Sequence, residues 1–411
     1  MPFEHWLSYS HTDQALLVDE TLDATWDGLV VPGTLAAYYF EGTGGFVLAR
    51  RRPYIIDPRT PLLQPIDRRT EPKVSQLELA KIHAPDLEGI WPSDEIDLGY
   101  WEDAGWQDVV HRVLDFQERY ASSATGKITK YQQLLVEAGQ TPDIESDPEP
   151  PTRFVPPYFA STGPADPWWA LTREAIEISA ERFASSAIYP VLALRSQTRV
   201  ETFAALVRQL PGGIDTVFCW RGSWQEQDAT VADVAGWAAT VKTADELGIR
   251  VLNLYGGYLS VLMGAAGLAG VNHGIGYSEA RDVARLSETG APPTRYYVPA
   301  FHRFVPRAQA QPLIDGIPQD WQCSCSVCAA RSASGKPPSL QSYSAEDLKR
   351  HFLLCRCAEI ERVKADVETE IADLRVKSQW LADNPPRGGL GRGFGETLHT
   401  WAAAVEAVIV K

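Results

Sequence analysis

Short runs of residues that are apolar on every side recur along this chain, and they constrain its fold more than any other feature. They lie at 29–32 (Leu-Val-Val-Pro), 54–56 (Tyr-Ile-Ile), 153–155 (Arg-Phe-Val), 189–194, 215–220, 249–254 and 295–298. A strand with one wet face alternates apolar and polar residues; a run without alternation suits a strand covered on both faces, as in a parallel sheet. Helical patterns lie between the runs. One, 198–210, follows the fourth run; another, 231–247, carries Val231, Val234, Trp237, Ala238 and Val241. Gly248 ends that helix before Ile249 opens the next strand, and Pro211-Gly212-Gly213 does the same before Ile214. Such alternation builds βαβ units. The expected fold class is α/β, a (β/α)8 TIM barrel, with an open doubly wound sheet as the alternative; no Gly-rich dinucleotide fingerprint supports the latter.

The 411 residues divide, on this reading, into a barrel over 1–320, a zinc-binding subdomain with a long helix over 321–383, and a C-terminal barrel helix over 384–411. A helical insertion near 101–150 interrupts the barrel: a helical pattern at 107–138 runs into the acidic, Pro-rich linker 141–151. Ser344 can cap the long helix, whose apolar seam is Ile360, Val363, Val367, Ile371 and Leu374. The last helix is expected at 396–410. The uncharged stretch 254–271 contains five glycines and lacks an aromatic belt, so it reads as a buried strand–loop–helix unit rather than a membrane span. The first residues carry no basic segment leading into an apolar one, and a cytoplasmic protein without a membrane partner is expected. With 53 acidic and 38 basic residues the net charge is −15, which argues against a broad phosphate-tracking surface but allows a local basic site. Arg50-Arg51-Arg52, Arg68-Arg69 and the stretch 387–392 are weak candidates.

Five of the six cysteines crowd into 323–357. Cys323, Cys325 and Cys328 put three thiolates within six residues, and a tetrahedral zinc ion needs one more ligand. His351 can supply it; Cys355, one helical turn on, is the other candidate. Cys357 points away from that face, and Cys219 lies in an apolar strand as a core residue.

This CxCxxC cluster, late in a barrel-like chain, resembles the zinc signature of the tRNA-guanine transglycosylases and of their DNA-modifying relatives, which insert 7-deazaguanine bases. Tyr343-Ser344, Arg350-His351 and Arg356-Cys-Ala-Glu-Ile360 are similar to the helix after that family's zinc knuckle. Gly270-Val-Asn-His-Gly-Ile275 looks like its approach to the nucleophile, and Val31-Pro-Gly-Thr34 like its first-strand element. The resemblance implies exchange of a purine or 7-deazapurine base in tRNA or DNA through a covalent carboxylate intermediate, with zinc as cofactor and a homodimer or a paralogous second subunit as partner. The nucleophile then falls on Glu279 and the general base on Asp57. Several positions depart from the family. The region matching its zinc histidine, 366–370, has none, and Gly44-Gly45-Phe46 lacks a preceding Asp. Pro156-Pro157 replaces the Asp that reads the base, the matching Gln falls near Arg195, and Trp220-Arg221-Gly222-Ser223 replaces the base-binding loop. A catalytically degenerate zinc barrel, acting as an accessory or binding protein in nucleic-acid modification, is therefore the second expectation.

Base exchange at a glycosidic carbon needs one carboxylate to carry the sugar and another to manage protons. In a barrel both stand at the C-terminal strand ends, where Asp57 and Glu279 are expected. Asp57 precedes Pro58 and equally suits a turn; Glu279 equally suits a solvated helix start. His273 is a further acid/base candidate, and with a carboxylate it would also serve a barrel hydrolase. Arg195 and Arg221 end adjacent strands and, with Gly256 and Gly257, are candidates for holding an anionic or planar ligand.

Overall fold

The computed structural model describes residues 3–64, 72–85, 98–103, 105–143, 145–276, 279–286, 294–332, 337–385 and 393–409. Eight strands form one all-parallel sheet: β1 (Glu4–Ser8), β2 (Gly28–Pro32), β3 (Tyr54–Asp57), β4 (Ala160–Ser161), β5 (Val191–Leu194), β6 (Thr216–Arg221), β7 (Arg250–Leu254) and β8 (Gly270–Gly274). The order is β3-β2-β1-β8-β7-β6-β5-β4, so the last strand pairs with the first, Leu7 lying beside His273. Chain neighbours are thus sheet neighbours throughout, in the order of a barrel, but the sheet is open at one junction, β3–β4.

The physical cause of that opening is local. Pro156 and Pro157 have no N–H to donate to a ladder, and β4 is two residues long. Side chains stand in for the missing strand contacts. The Tyr158 N–H donates to Thr60 Oγ1 at 2.8 Å, the Ala160 N–H to Gln64 Oε1 at 2.7 Å, and Gln64 Nε2 returns a bond to the Ala160 carbonyl at 3.2 Å. The Thr152 N–H reaches the Tyr54 carbonyl at 2.8 Å. The expected closed ring of strands is therefore replaced here by an eight-stranded parallel sheet tied across its gap by Thr60 and Gln64.

Other expectations change as well. The run 153–155 makes only an isolated bridge, Phe154 to Ile188. The run 295–298 leaves the main sheet altogether: β9 (Arg295–Val298) pairs antiparallel with β10 (Arg303–Pro306). In their places stand β1 and β8, whose sequences (Glu-His-Trp-Leu-Ser and Gly-Val-Asn-His-Gly) carry too many polar residues to read as buried runs. The long helix after Ser344 is two helices, Ala345–Ala365 and Val367–Asp383, with Asp366 extended between them and capping the second through the Thr369 N–H. Gly44 and Gly45 lie inside the helix Phe40–Arg50, where a Cβ would stand 2.3 Å from Ala124 and 2.8 Å from Lys127; they serve close helix packing. Among the described residues no helix is long and apolar enough to cross a membrane.

The concave interior of the sheet is filled by Trp6, Val30, Ile55, Ala193, Phe218 and Leu252, and its rim by Trp220 and Tyr255. The outer face is covered by helices, among them Val231–Glu246 and the C-terminal Phe394–Ile409. After β8 come the β9–β10 hairpin, the helix Arg307–Gly316 and the cysteine knuckle; the helix Ala345–Ala365 then returns to pack Phe352 on His273 of β8, ring centroids 5.1 Å apart.

Candidate functional site

Three polar groupings stand out from this frame. The first is a Cys3His cluster. The Sγ atoms of Cys323, Cys325 and Cys328 and the Nδ1 of His351 all lie within 4.8 Å of one another. Nδ1 is 3.6, 3.3 and 3.3 Å from the three sulfurs. Four donors around a zinc ion, at ~2.1 Å for nitrogen and ~2.3 Å for sulfur, stand about 3.6 Å from each other, so the set is compatible with such an ion. His351 Nε2 bonds the Tyr297 carbonyl at 2.7 Å, and the Tyr296 ring stacks on the imidazole at 4.4 Å. Neighbouring thiols hold the Cys325 thiol well below its usual range. Cys355, the other candidate, is adjacent, its Sγ 3.6 Å from that of Cys323, and burial pushes its thiol up to about 11.

The second grouping lies at the C-terminal end of β3. Asp57 is fully buried. Its Oδ1 accepts from the Tyr158 hydroxyl at 2.7 Å and from the Arg59 N–H at 3.1 Å; its Oδ2 has no partner among the described residues. Burial raises the Asp57 pKa, while Arg59 and Tyr158 oppose the rise. Arg59, at φ 55°, is also fully buried, with its guanidinium 4.7 Å from the Trp220 ring. Nη2 donates to the Asp282 carbonyl at 3.2 Å, but Nε and Nη1 find no partner among the described residues. Residues 281–284 cover this end of the sheet. Arg281 donates to the Tyr255 hydroxyl at 3.0 Å, its carbonyl accepts from Trp220 Nε1 at 3.2 Å, and Val283 and Ala284 are buried among the interior side chains.

The third grouping surrounds Glu279. Its Oε1 accepts from Arg356 Nη2, and Arg356 Nη1 lies 3.1 Å from Glu359 Oε2. Glu359 Oε1 accepts from the Tyr297 hydroxyl at 2.8 Å and His302 Nδ1 at 2.6 Å. Burial alone would raise Glu359, but Arg356 and His302 outweigh it and hold the carboxyl below its usual range. Burial pushes Glu279 up to about 7; Arg356 opposes this, and the charges of Glu226 and Glu359 add to it. Glu226, buried behind β7, accepts from the Ser260 N–H at 3.2 Å and Asn253 Nδ2 at 3.3 Å.

The residues singled out from sequence fall into these groupings unevenly. Cys323, Cys325, Cys328 and His351 converge. Asp57 and Glu279 both lie near the strand ends, in separate hydrogen-bonded groups linked by the short segment 279–282. His273 lies near the C-terminal end of β8 but on the outer face of the sheet, fully buried against Phe352 with its Nε2 2.8 Å from His5 Nε2, so its ring does not face the interior side of the strand ends. Arg221 is paired with Asp233 at 2.7 Å. Arg195 lines a separate cleft of about 540 Å³ with Thr162, Asp166 and Trp168. The Gly256 N–H bonds the Asn272 carbonyl at 2.9 Å, and Gly257 faces Glu226 and Glu279. Arg50, Arg51 and Arg52 bind Asp23, Asp143 and the Trp26 carbonyl, which makes that run part of the framework. Arg68-Arg69 and 387–392 lie outside the described residues.

Sequence reasoning did not find Arg59, Tyr158, Arg281, Glu226 or His302. Arg59 and Arg281 stand two residues from Asp57 and Glu279, which was the available signal. Tyr158, Glu226 and His302 arrive from distant segments and carry none.

No family model matches this chain, and no curated protein matches it. Among solved structures that do match is a nitroalkane oxidase from Streptomyces ansochromogenes, at 14% sequence identity over 100% of this chain and 97% of that one, with a TM-score of 0.30.

Proposed function

We propose that this chain is a transglycosylase-like enzyme that exchanges a purine or 7-deazapurine base in tRNA or DNA, built on a TIM-barrel-type scaffold. The observation that carries the reading is the Asp57–Arg59 pair. A buried carboxylate oxygen of Asp57 and two buried guanidinium nitrogens of Arg59, Nε and Nη1, are left without partners among the described residues at this end of the sheet, and the two side chains make no ion pair with each other. Unsatisfied buried groups are costly, and their concentration at one point suits a ligand offering both a donor and an acceptor, as a heterocyclic base does. In this reading Glu279 attacks the sugar carbon, the carbon–nitrogen bond breaks, and the departing base takes its proton from Asp57. The incoming base returns a proton to Asp57 as its nitrogen attacks the sugar and releases Glu279. Val283 and Ala284 occupy the space above the interior, so segment 281–284 must move aside for substrate.

A zinc ion would be held by Cys323, Cys325, Cys328 and His351. Its chemistry there is structural, fixing the knuckle to the helix that carries Arg356.

The alternative is an accessory or binding protein on the same scaffold. It is favoured by the Arg356–Glu279 pair, which occupies the proposed nucleophile. A labelled-base exchange assay on tRNA and on DNA separates the two. Exchange that is lost in both Glu279→Gln and Asp57→Asn supports the enzyme. No exchange with either nucleic acid, together with retained nucleic-acid binding, overturns it in favour of the accessory protein.

A further inference from the structure

Beside Glu279 lies a cavity of about 140 Å³ whose walls include Glu226, Gln227, Glu279, His302, Phe304 and Trp401. His302 is fully buried, and its ring stacks on Tyr258 with centroids 3.5 Å apart and planes within 5°. Its Nδ1 is bonded to Glu359 at 2.6 Å, which places the ring proton on Nδ1 and leaves Nε2 as a bare acceptor. That Nε2 is buried and has no partner among the described residues. On the same lining two carboxyl groups approach one point beside Gly257, Glu226 Oε2 also accepting from the Ser260 N–H at 3.2 Å. A Cβ at Gly257 would stand 3.0 Å from Glu226 Oε2 and 3.3 Å from Glu279 Oε2. Arg356 holds only the other oxygen of Glu279. Two acidic oxygens and an imidazole acceptor share this chamber with aromatic walls; its side-chain donors are Arg295 and the amides of Gln225 and Gln227.

We propose that this cavity binds a small organic monocation through a primary ammonium group, which would donate to His302 Nε2 and to the facing oxygens of Glu226 and Glu279. The volume holds roughly four or five water-sized groups at ~30 Å³ each, enough for a short alkylammonium. A metal ion fits less well: among the described residues, ligand atoms close enough to share one ion occur only in the Cys3His cluster. Arg295 on the same wall favours a single positive charge over two. The Glu279 side chain keeps 15% exposure, which gives the ligand a way in. The inference shares Glu279 with the proposed exchange but does not depend on it, because binding needs no nucleic acid.

The test is calorimetric titration of the metal-loaded protein with propylammonium chloride, with n-propanol as the neutral isostere and Mn2+ as a third probe. One saturable site per chain is expected for propylammonium, with n-propanol at least tenfold weaker. His302→Gln and Gly257→Ala, the latter placing a methyl group against both carboxyls, should each weaken binding at least tenfold while metal content and melting stay unchanged. If one variant loses its metal or melts early, the other decides. No saturable binding, equal affinity for n-propanol, displacement by stoichiometric Mn2+, or unchanged affinity in a folded variant would overturn the proposal. Loss of base exchange with amine binding intact would instead count against the transglycosylase reading alone.

Discussion

His351 bonds the backbone carbonyl of Tyr297 through Nε2 at 2.7 Å, and this leaves Nδ1 as the ring nitrogen that faces the three cysteine sulfurs. The carbonyl can only accept, so the proton sits on Nε2 and the lone pair on Nδ1 points toward the three sulfurs, the arrangement a metal ion would need. The same tyrosine's hydroxyl donates to Glu359, next to Arg356 and Glu279. The metal cluster and the proposed nucleophile are thus tied to one residue and one helix.

The purified protein should carry about one zinc per chain, and Cys325→Ser should lose it along with several degrees of melting temperature. Metal analysis and calorimetry check this. A protein prepared without chelator that contains no metal would contradict the cluster's assignment.

Metal removal should also reach Glu279. Stripping the ion loosens the helix that carries both His351 and Arg356, so the carboxyl should lose its fixed partner. Hydrogen exchange over 350–360 and 279–282 should rise together on chelation. A rise confined to 323–332 would show that the two sites are uncoupled.

Two groups, Glu279 and the fully enclosed His5, predict opposite pH trends. The folded-state pKa of Glu279 is raised to about 7, so the folded protein binds a proton there that the unfolded chain has already lost. Its contribution is greatest at low pH and falls as pH rises from about 4.5 to 7, by on the order of 3 kcal/mol. His5, lowered to about 4 chiefly by burial, acts the other way: stability is lost as pH falls from about 6.5 to 4. Denaturant melts of Glu279→Gln and His5→Asn against wild type, at pH 4.5 and 7.5, isolate each term. In both comparisons the sign of the difference is the check.

Tyr158→Phe should cost about 1–3 kcal/mol, because it strips a hydrogen bond from the buried Asp57 Oδ1 and leaves only the Arg59 N–H. Base exchange, if the proposal holds, should fall more steeply in Asp57→Asn than in Tyr158→Phe, by about 100-fold against wild type. Equal losses would make Asp57 a structural residue.

Gly222→Ala should open the covering segment. A Cβ there would meet Val283 at 2.6 Å, a contact no side chain can hold, so residues 281–284 should shift outward. Limited trypsin digestion should then cut after Arg281 or Arg285 several times faster than in wild type. An unchanged digestion pattern would show that the segment yields without leaving the sheet.

Much of this architecture is legible in the chain alone. The apolar runs at 29–32, 54–56, 189–194, 215–220 and 249–254 are parallel strands because their composition tolerates no wet face. The cysteine spacing brings three sulfurs together because six residues leave the backbone little freedom to do otherwise. The sequence names His351 and leaves Cys355 as the alternative; the tertiary structure brings His351 Nδ1 close to all three sulfurs, its ring oriented by the Tyr297 carbonyl. Strands β1 and β8 were hidden because His5 meets His273, and Asn272 Oδ1 accepts from Ser8, only once the strands are side by side. The open β3–β4 junction depends on Thr60 and Gln64 replacing a ladder that Pro156-Pro157 cannot make. The Asp57–Arg59 and Glu279–Arg356 groupings likewise belong to the tertiary structure. A pattern along one segment can show that a residue will be buried, but the partner that settles its charge and hydrogen bonds comes from elsewhere in the chain and is chosen by packing.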